Sequence, residues 1–131
     1  MTEPRVRVEP THVGPTPIAT QWSIRWRIEN LDAEALVLES AWLPHGRFRC
    51  PRQGLVPPLR LLSGASAEIE LRVAAIGAPG EVVENAFLVL DVLRRGDAWQ
   101  LFGRIRVVFG APGAPAPVIE VITAQRVGFS R

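Results

Sequence analysis

The chain has 131 residues, 47% of them hydrophobic, and a formal net charge of +2 at pH 7. This length fits one domain that can bury a core without metal or disulfide support. The near balance of charge argues against a dedicated nucleic-acid binder, because such proteins collect their basic residues into a stripe or tail.

The single cysteine and the apolar segments exclude further classes. Cys50 is the only cysteine, so no intrachain disulfide can form, and the first residues contain no apolar segment that resembles a signal peptide. No uncharged apolar run approaches the roughly 18 residues that span a bilayer. We therefore expect a cytoplasmic protein without a membrane partner.

Alternating apolar and polar residues, which are typical of half-buried strands, organise most of the chain. The clearest case is residues 20–30, where Trp22, Ile24, Trp26 and Ile28 share one face. Turn-forming Gly, Pro, Asn and Asp residues separate the alternating segments. The predicted strands are A (5–9), B (20–30), C (35–43), D (59–62), E (67–75), F (86–93) and G (99–109).

Two segments between these strands carry turn or loop signals. Residues 44–52 are predicted to form an irregular loop, with at most a short edge strand around Phe48. Pro57 and Pro58 argue against a central strand, because neither can donate a hydrogen bond to a ladder. Residues 94–97, Arg-Arg-Gly-Asp, predict an F–G hairpin turn, and the Arg-Gly-Asp tripeptide is interpreted as turn chemistry and not as an integrin ligand.

The end of the chain divides into two pieces after a sandwich domain at residues 1–109. Residues 110–117 are rich in Gly, Pro and Ala and predict a semi-stiff connector. Residues 118–131 are a β-prone segment that packs on the same domain or on a partner. About seven or eight short strands predict an all-β fold, an antiparallel immunoglobulin-like β-sandwich, with a small β-barrel as the alternative.

The reactive side chains do not form a recognisable catalytic or metal site. A nucleophile needs an oriented base beside it, and the only histidines, His12 and His45, fall in predicted loops. With Cys50 they give three candidate zinc ligands, whereas structural sites use four. Cys50 is interpreted as a buried or semi-buried thiol. We expect no enzyme activity, no metal and no cofactor.

Residues 44–52 are the best candidate for a small anionic ligand. Arginines alternate there with an aromatic residue, a mixture that can stack a base or bind a carboxylate or phosphate. The candidate anion-binding residues are His45, Arg47, Phe48, Arg49 and Arg52. In the competing interpretation Phe48 closes the end of the core and the arginines stay in water. Four further arginines would cluster if strand A pairs with strand G: Arg5, Arg7, Arg104 and Arg106.

Strand F is apolar on both faces except at Asp91. If Leu88, Leu90 and Val92 point inward, the other face of F joins the outward residues of C and G in a patch larger than a monomer normally exposes. We expect the tail at 118–129 or another chain to cover it. The candidate partner-binding residues are Val37, Leu43, Phe87, Val89, Phe102 and Val108.

The uneven faces of the sheets give the expected function. They predict a non-catalytic interaction or assembly module that works through the C–F–G face, with a protein partner or a second copy in a homodimer. The alternative is a binding domain for an anionic small molecule or single-stranded nucleic acid through residues 44–52. Of these ligands, nucleic acid is the less expected because the basic residues are dispersed.

Overall fold

The computed structural model describes residues 3–128. All regular structure in this range is antiparallel β-sheet, which confirms the all-β prediction. The strands are β1 (Val6–Pro15), β2 (Gln21–Asn30), β3 (Leu36–His45), β4 (Phe48–Leu61), β5 (Ser66–Ala75), β6 (Val82–Arg94), β7 (Asp97–Phe109) and β8 (Pro115–Arg126). Strands A to G correspond to β1 to β7. Within residues 3–128, no helix has the length and apolar character needed to cross a membrane.

The eight strands form one nearly closed sheet. Their order is β1-β2-β5-β4-β3-β6-β7-β8, and β8 comes into contact with β1. The join between β4 and β5 is short, because only Phe48 with Ala75 and Arg49 with Ala74 are paired there. The sheet therefore curls around one apolar core, and its outward side chains form two different surfaces.

The alternating side chains of β2 and β6 supply much of that core. Trp26 of β2 is fully buried, and the predicted inward residues of β6, including Leu88, Leu90 and Val92, are at most 2% exposed. β6 lies between β3 and β7, as expected for strand F between C and G, and β2 pairs with β5. Period-two alternation identified these faces because one side of each strand meets the core.

A β-bulge in β3 corrects the predicted face of strand C. Two residues of β3, Glu39 and Ser40, lie opposite the single Asp91 of β6. The extra residue reverses the alternation, so Leu43 points into the core with 1% exposure and Trp42 points outward. The prediction that Leu43 faces a partner is therefore wrong.

The prediction of an irregular loop at 44–52 is also wrong. Strands β3 and β4 are joined by a tight turn at Gly46 and Arg47, and β4 begins at Phe48. Phe48 is fully buried. The aromatic residue therefore belongs to the core, and the segment forms the turn end of the β3–β4 hairpin.

Strand β4 includes Pro57 and Pro58, which were expected to argue against a central strand. Beyond Arg49 the edge of β4 that faces β5 has no paired residue in the described chain. Residues 55–58 also bulge out opposite a single residue of β3. Prolines are tolerated here because a free or bulged edge needs no backbone donor.

The Arg95 and Gly96 turn between β6 and β7 confirms the predicted hairpin. Arg94 pairs with Asp97, and the two turn residues have φ angles of 54° and 78°. Two consecutive positive φ angles are typical of a type I′ turn, whose twist matches that of the flanking strands.

Strand β8 pairs with β7 from Pro115 to Arg126. It begins inside the expected connector at 110–117, so the turn before it is shorter than the sequence indicated. Strand β7 has β6 and β8 as its neighbours and does not pair with β1. Strand A therefore does not pair with strand G, and this condition for a cluster of Arg5, Arg7, Arg104 and Arg106 is not met.

Candidate functional site

The outward side chains of β3, β6, β7 and β8 form a largely apolar surface, which we call the apolar face. β8 lies beside β7 and extends this surface at its edge instead of folding over it. The apolar members are Val37, Trp42, Phe87, Val89, Leu93, Phe102, Val108 and Val121.

A row of side chains crosses the middle of the apolar face. Trp42 pairs with Val89, Val89 with Phe102, and Phe102 with Thr123. Directly opposite residues in antiparallel strands have Cβ atoms about 4.5–5.5 Å apart, so these side chains are in contact range. Val89 is only 3% exposed although it points away from the core, because the two aromatic residues flank it. Trp42 and Phe102 themselves remain partly exposed.

A polar cluster lies beside this row and is centred on Asp91. Its carboxylate accepts hydrogen bonds from the Ser40 hydroxyl and the Arg52 guanidinium, and from Gln100 Nε2 at 3.1 Å. The Arg52 guanidinium also stacks 4.4 Å from the centre of the Trp42 ring. The cluster borders a surface cleft of about 440 Å³. These contacts hold the side chains of Arg52 and Asp91 in fixed positions on the apolar face.

The Asp91 carboxylate titrates below its usual range. Partial burial alone raises the pKa of Asp91, but the hydrogen bonds from Ser40, Arg52 and Gln100 outweigh it and the pKa lies below 3.8. The ionised form therefore stabilises the fold at neutral pH.

Acid should remove this stabilisation. Because the folded pKa is lower than the unfolded one, the contribution is present above about pH 3.8 and is lost as the pH falls through the folded value. Urea unfolding from neutral to acidic pH should show a smaller acid loss of stability for Asp91→Asn than for wild type. Identical pH profiles would contradict the role of Asp91.

The structure separates three of the predicted anion-binding residues. His45 Nδ1 accepts a hydrogen bond from the Arg47 backbone amide at 3.0 Å. The Arg47 side chain pairs with Glu81 at 2.9 Å, and Phe48 lies in the core. None of the three offers a free cationic group to a ligand.

The remaining two predicted residues lie on opposite surfaces. Arg52 lies on the apolar face and pairs with Asp91. Arg49 pairs through its backbone with Ala74 of β5 and points to the other outer surface. The segment 44–52 therefore does not form one anion site.

Cys50 lies inside the sheet and is 5% exposed. Burial raises the pKa of its thiol, which disfavours the reactive thiolate. Within residues 3–128, no group of three or more His, Cys, Asp or Glu side chains is arranged to hold a metal ion.

No family model matches this chain, and no curated protein is significantly similar to it. The assignment of the candidate site therefore rests on the geometry of this structure.

Four of the six predicted partner-binding residues lie partly exposed on the apolar face: Val37, Phe87, Phe102 and Val108. Val89 lies on the same face but is covered by its neighbours, and Leu43 lies in the core. Trp42 and the polar cluster around Asp91 were not predicted from the sequence. Asp91 gave one usable signal, since it is the only charged residue within the apolar run of strand F.

Proposed function

We propose that this protein is a non-catalytic interaction module that uses the apolar face to bind a protein surface, with a second copy of the chain as the partner. The observation that carries the proposal is the partly exposed row of Trp42, Val89 and Phe102, which β8 leaves uncovered. Contiguous apolar surface of this kind marks interaction sites. Aromatic anchors that fill pockets in a partner commonly dominate binding energy.

The charges on the apolar face favour a second copy as the partner. Three of the arginines on this surface are paired with a carboxylate of their own chain: Arg52 with Asp91, Arg104 with Glu120 and Arg106 with Glu84. A fourth, Arg60, lies at the margin opposite Val37. The centre of the face is therefore locally neutral. Two copies with neutral centres on this face can meet across a twofold axis without like-charge repulsion there, as an isologous dimer requires.

We also propose that the sheet is an immunoglobulin-like sandwich, with a small barrel as the alternative. Support comes from the neighbours of strands B and F and from the two-position join between β4 and β5. In this proposal the weak join separates one layer, of β1, β2 and β5, from a second layer of the other five strands.

Anion binding through residues 44–52 has less support as the alternative function. Its aromatic residue, Phe48, is in the core, and the Arg47 and Arg52 side chains are held by carboxylates. A ligand there would have to displace both ion pairs.

The proposed function predicts a dimer that depends on Phe102. Light scattering at micromolar concentration should give wild type about twice the chain mass of 14.4 kDa. Phe102→Arg should raise the dimer dissociation constant by about 100-fold, because it places an unpaired charge in a desolvated interface. Analytical ultracentrifugation across a concentration series measures this change.

The matched control changes an exposed apolar residue outside the apolar face. Ile18 is 60% exposed in the turn between β1 and β2, so Ile18→Arg adds the same charge elsewhere. It should leave the dimer intact. A monomeric wild type, or equal effects of the two substitutions, would overturn the proposal.

A further inference from the structure

The other outer surface carries a diagonal line of three arginines, which we call the arginine line. Arg25 lies on β2, Arg72 on β5 and Arg49 on β4. Arg25 pairs with Glu70, two residues from Arg72 on β5. Arg49 pairs with Ala74, two residues from Arg72 in the other direction. Such diagonal neighbours are about 7–8 Å apart, so the three side chains form a row across three strands.

These arginines differ from most others in the described chain. Nine of the fourteen arginines in residues 3–128 form ion pairs with carboxylates. Three of the remaining five make up the arginine line, and all three are exposed. The unpaired positive charge of these residues is therefore concentrated on one surface.

The residues between the arginines leave space above the sheet. Ser23 of β2 lies opposite Arg72, and Ala74 of β5 lies opposite Arg49. Both side chains are small and point outward, so long guanidinium groups can converge above them. Two carboxylates lie beside the line, Glu70 opposite Arg25 and Glu68 diagonal to Arg25, and neither forms an ion pair among the described residues. With three arginines and two carboxylates, the local charge remains positive by one.

The same surface lacks a platform for bases. The outward residues of β2 and β5 include no aromatic side chain, because Trp22 and Trp26 belong to the inward set. Proteins that bind single-stranded nucleic acid usually stack its bases on aromatic rings. Guanidinium groups alone recognise phosphate oxygens, through charge and paired hydrogen bonds.

We propose that the arginine line binds a linear chain of phosphate groups, with Arg72 as the central contact. Each guanidinium pairs with phosphate oxygens, and the diagonal spacing distributes the contacts along an extended ligand. The site lies on the other outer surface, on β2, β5 and the start of β4, away from the apolar face, so binding does not depend on the proposed dimer.

Inorganic polyphosphate is the probe that tests this site. Fluorescence anisotropy with labelled polyphosphate should show affinity that falls as salt rises, with a logarithmic slope of about two for three phosphate contacts. Arg72→Gln should weaken binding by about tenfold at low salt and reduce the slope by about one. Glu70→Gln should strengthen binding, because it removes the carboxylate directly opposite Arg25.

The matched control is Arg60→Gln, since Arg60 is exposed on β4 and also has no ion-pair partner among residues 3–128. It should bind like wild type. Equal losses in Arg60→Gln and Arg72→Gln would mean general charge attraction and would overturn the site. Tighter binding of single-stranded DNA than of polyphosphate with the same number of phosphates would overturn the ligand class.

Discussion

Replacing Arg94 by methionine should lower the free energy of unfolding by about 3–5 kcal/mol, because it leaves a buried carboxylate without its cation. Arg94 Nη1 lies 2.8 Å from Asp32 Oδ2, and the two side chains are only 7% and 10% exposed. The guanidinium also lies 5.4 Å from the centre of the Trp99 ring. Methionine keeps much of the volume and removes the charge. Urea denaturation at neutral pH measures the loss.

The pH dependence separates this mechanism from simple loss of packing. Burial alone raises the pKa of Asp32, but hydrogen bonds from the Glu34 amide and Arg94 outweigh it and hold the pKa below 3.8. This stabilisation is present above about pH 3.8 and is lost as the pH falls through the folded value. The difference between wild type and Arg94→Met should therefore shrink in acid, where a protonated Asp32 needs no cation.

The neighbouring arginine provides the control. Arg95 pairs with Glu34, but the Arg95 side chain is 65% exposed. Water screens that pair, so Arg95→Met should change stability far less. A similar loss in both variants, or a loss in Arg94→Met that does not change with pH, would contradict the buried-pair mechanism.

The strands could be predicted from sequence wherever one face meets the core and the other meets water. This held for β2, whose Trp and Ile residues alternate with charged residues, and for the turn at Arg95 and Gly96. It failed in β3, because a bulge at Glu39 changes the alternation without leaving a composition signal. It also failed at Pro57 and Pro58, because the sequence does not show which edge of a strand is free.

The candidate surfaces could also be predicted where they depend on one strand, and not where they depend on contacts between distant residues. The apolar face was visible in the sequence, because strand F is apolar on both sides and must expose one of them. The cluster of Ser40, Arg52 and Asp91 was not, since the bulge decides where Ser40 points and the hairpin decides where Arg52 points. The arginine line needed the pairing of β4 with β5, which joins residues far apart in the chain.

Asn30 is a fully buried amide that ties together three backbone segments. Its Nδ2 donates to the carbonyl oxygens of Glu34 at 2.9 Å and Leu61 at 3.0 Å. Its Oδ1 accepts a hydrogen bond from the Asp32 amide at 2.8 Å. Together, these three hydrogen bonds hold the end of β2 against the turn into β3 and against the end of β4.

Asn30→Leu should lower the free energy of unfolding by about 3 kcal/mol, because one buried and two partly buried backbone groups lose their hydrogen-bond partners. Each such loss costs about 1–3 kcal/mol. Asn30→Asp keeps the shape and the acceptor but cannot donate to two carbonyls, so it should also be strongly destabilised. Gln53→Leu, which removes an exposed amide from β4, is the control and should change stability little. A stable Asn30→Asp would show that shape and not hydrogen bonding makes this position important.

Asn30 and Arg94 should also be coupled, because both hold Asp32, one through its amide and one through its carboxylate. Once Asn30→Leu loosens the turn, water can reach the Asp32 carboxylate and less of the Arg94 pairing energy remains to be lost. The double variant should therefore lose less stability than the two single losses combined, by about 1 kcal/mol or more. Strict additivity in urea unfolding would mean that the two side chains stabilise this end of the sheet independently.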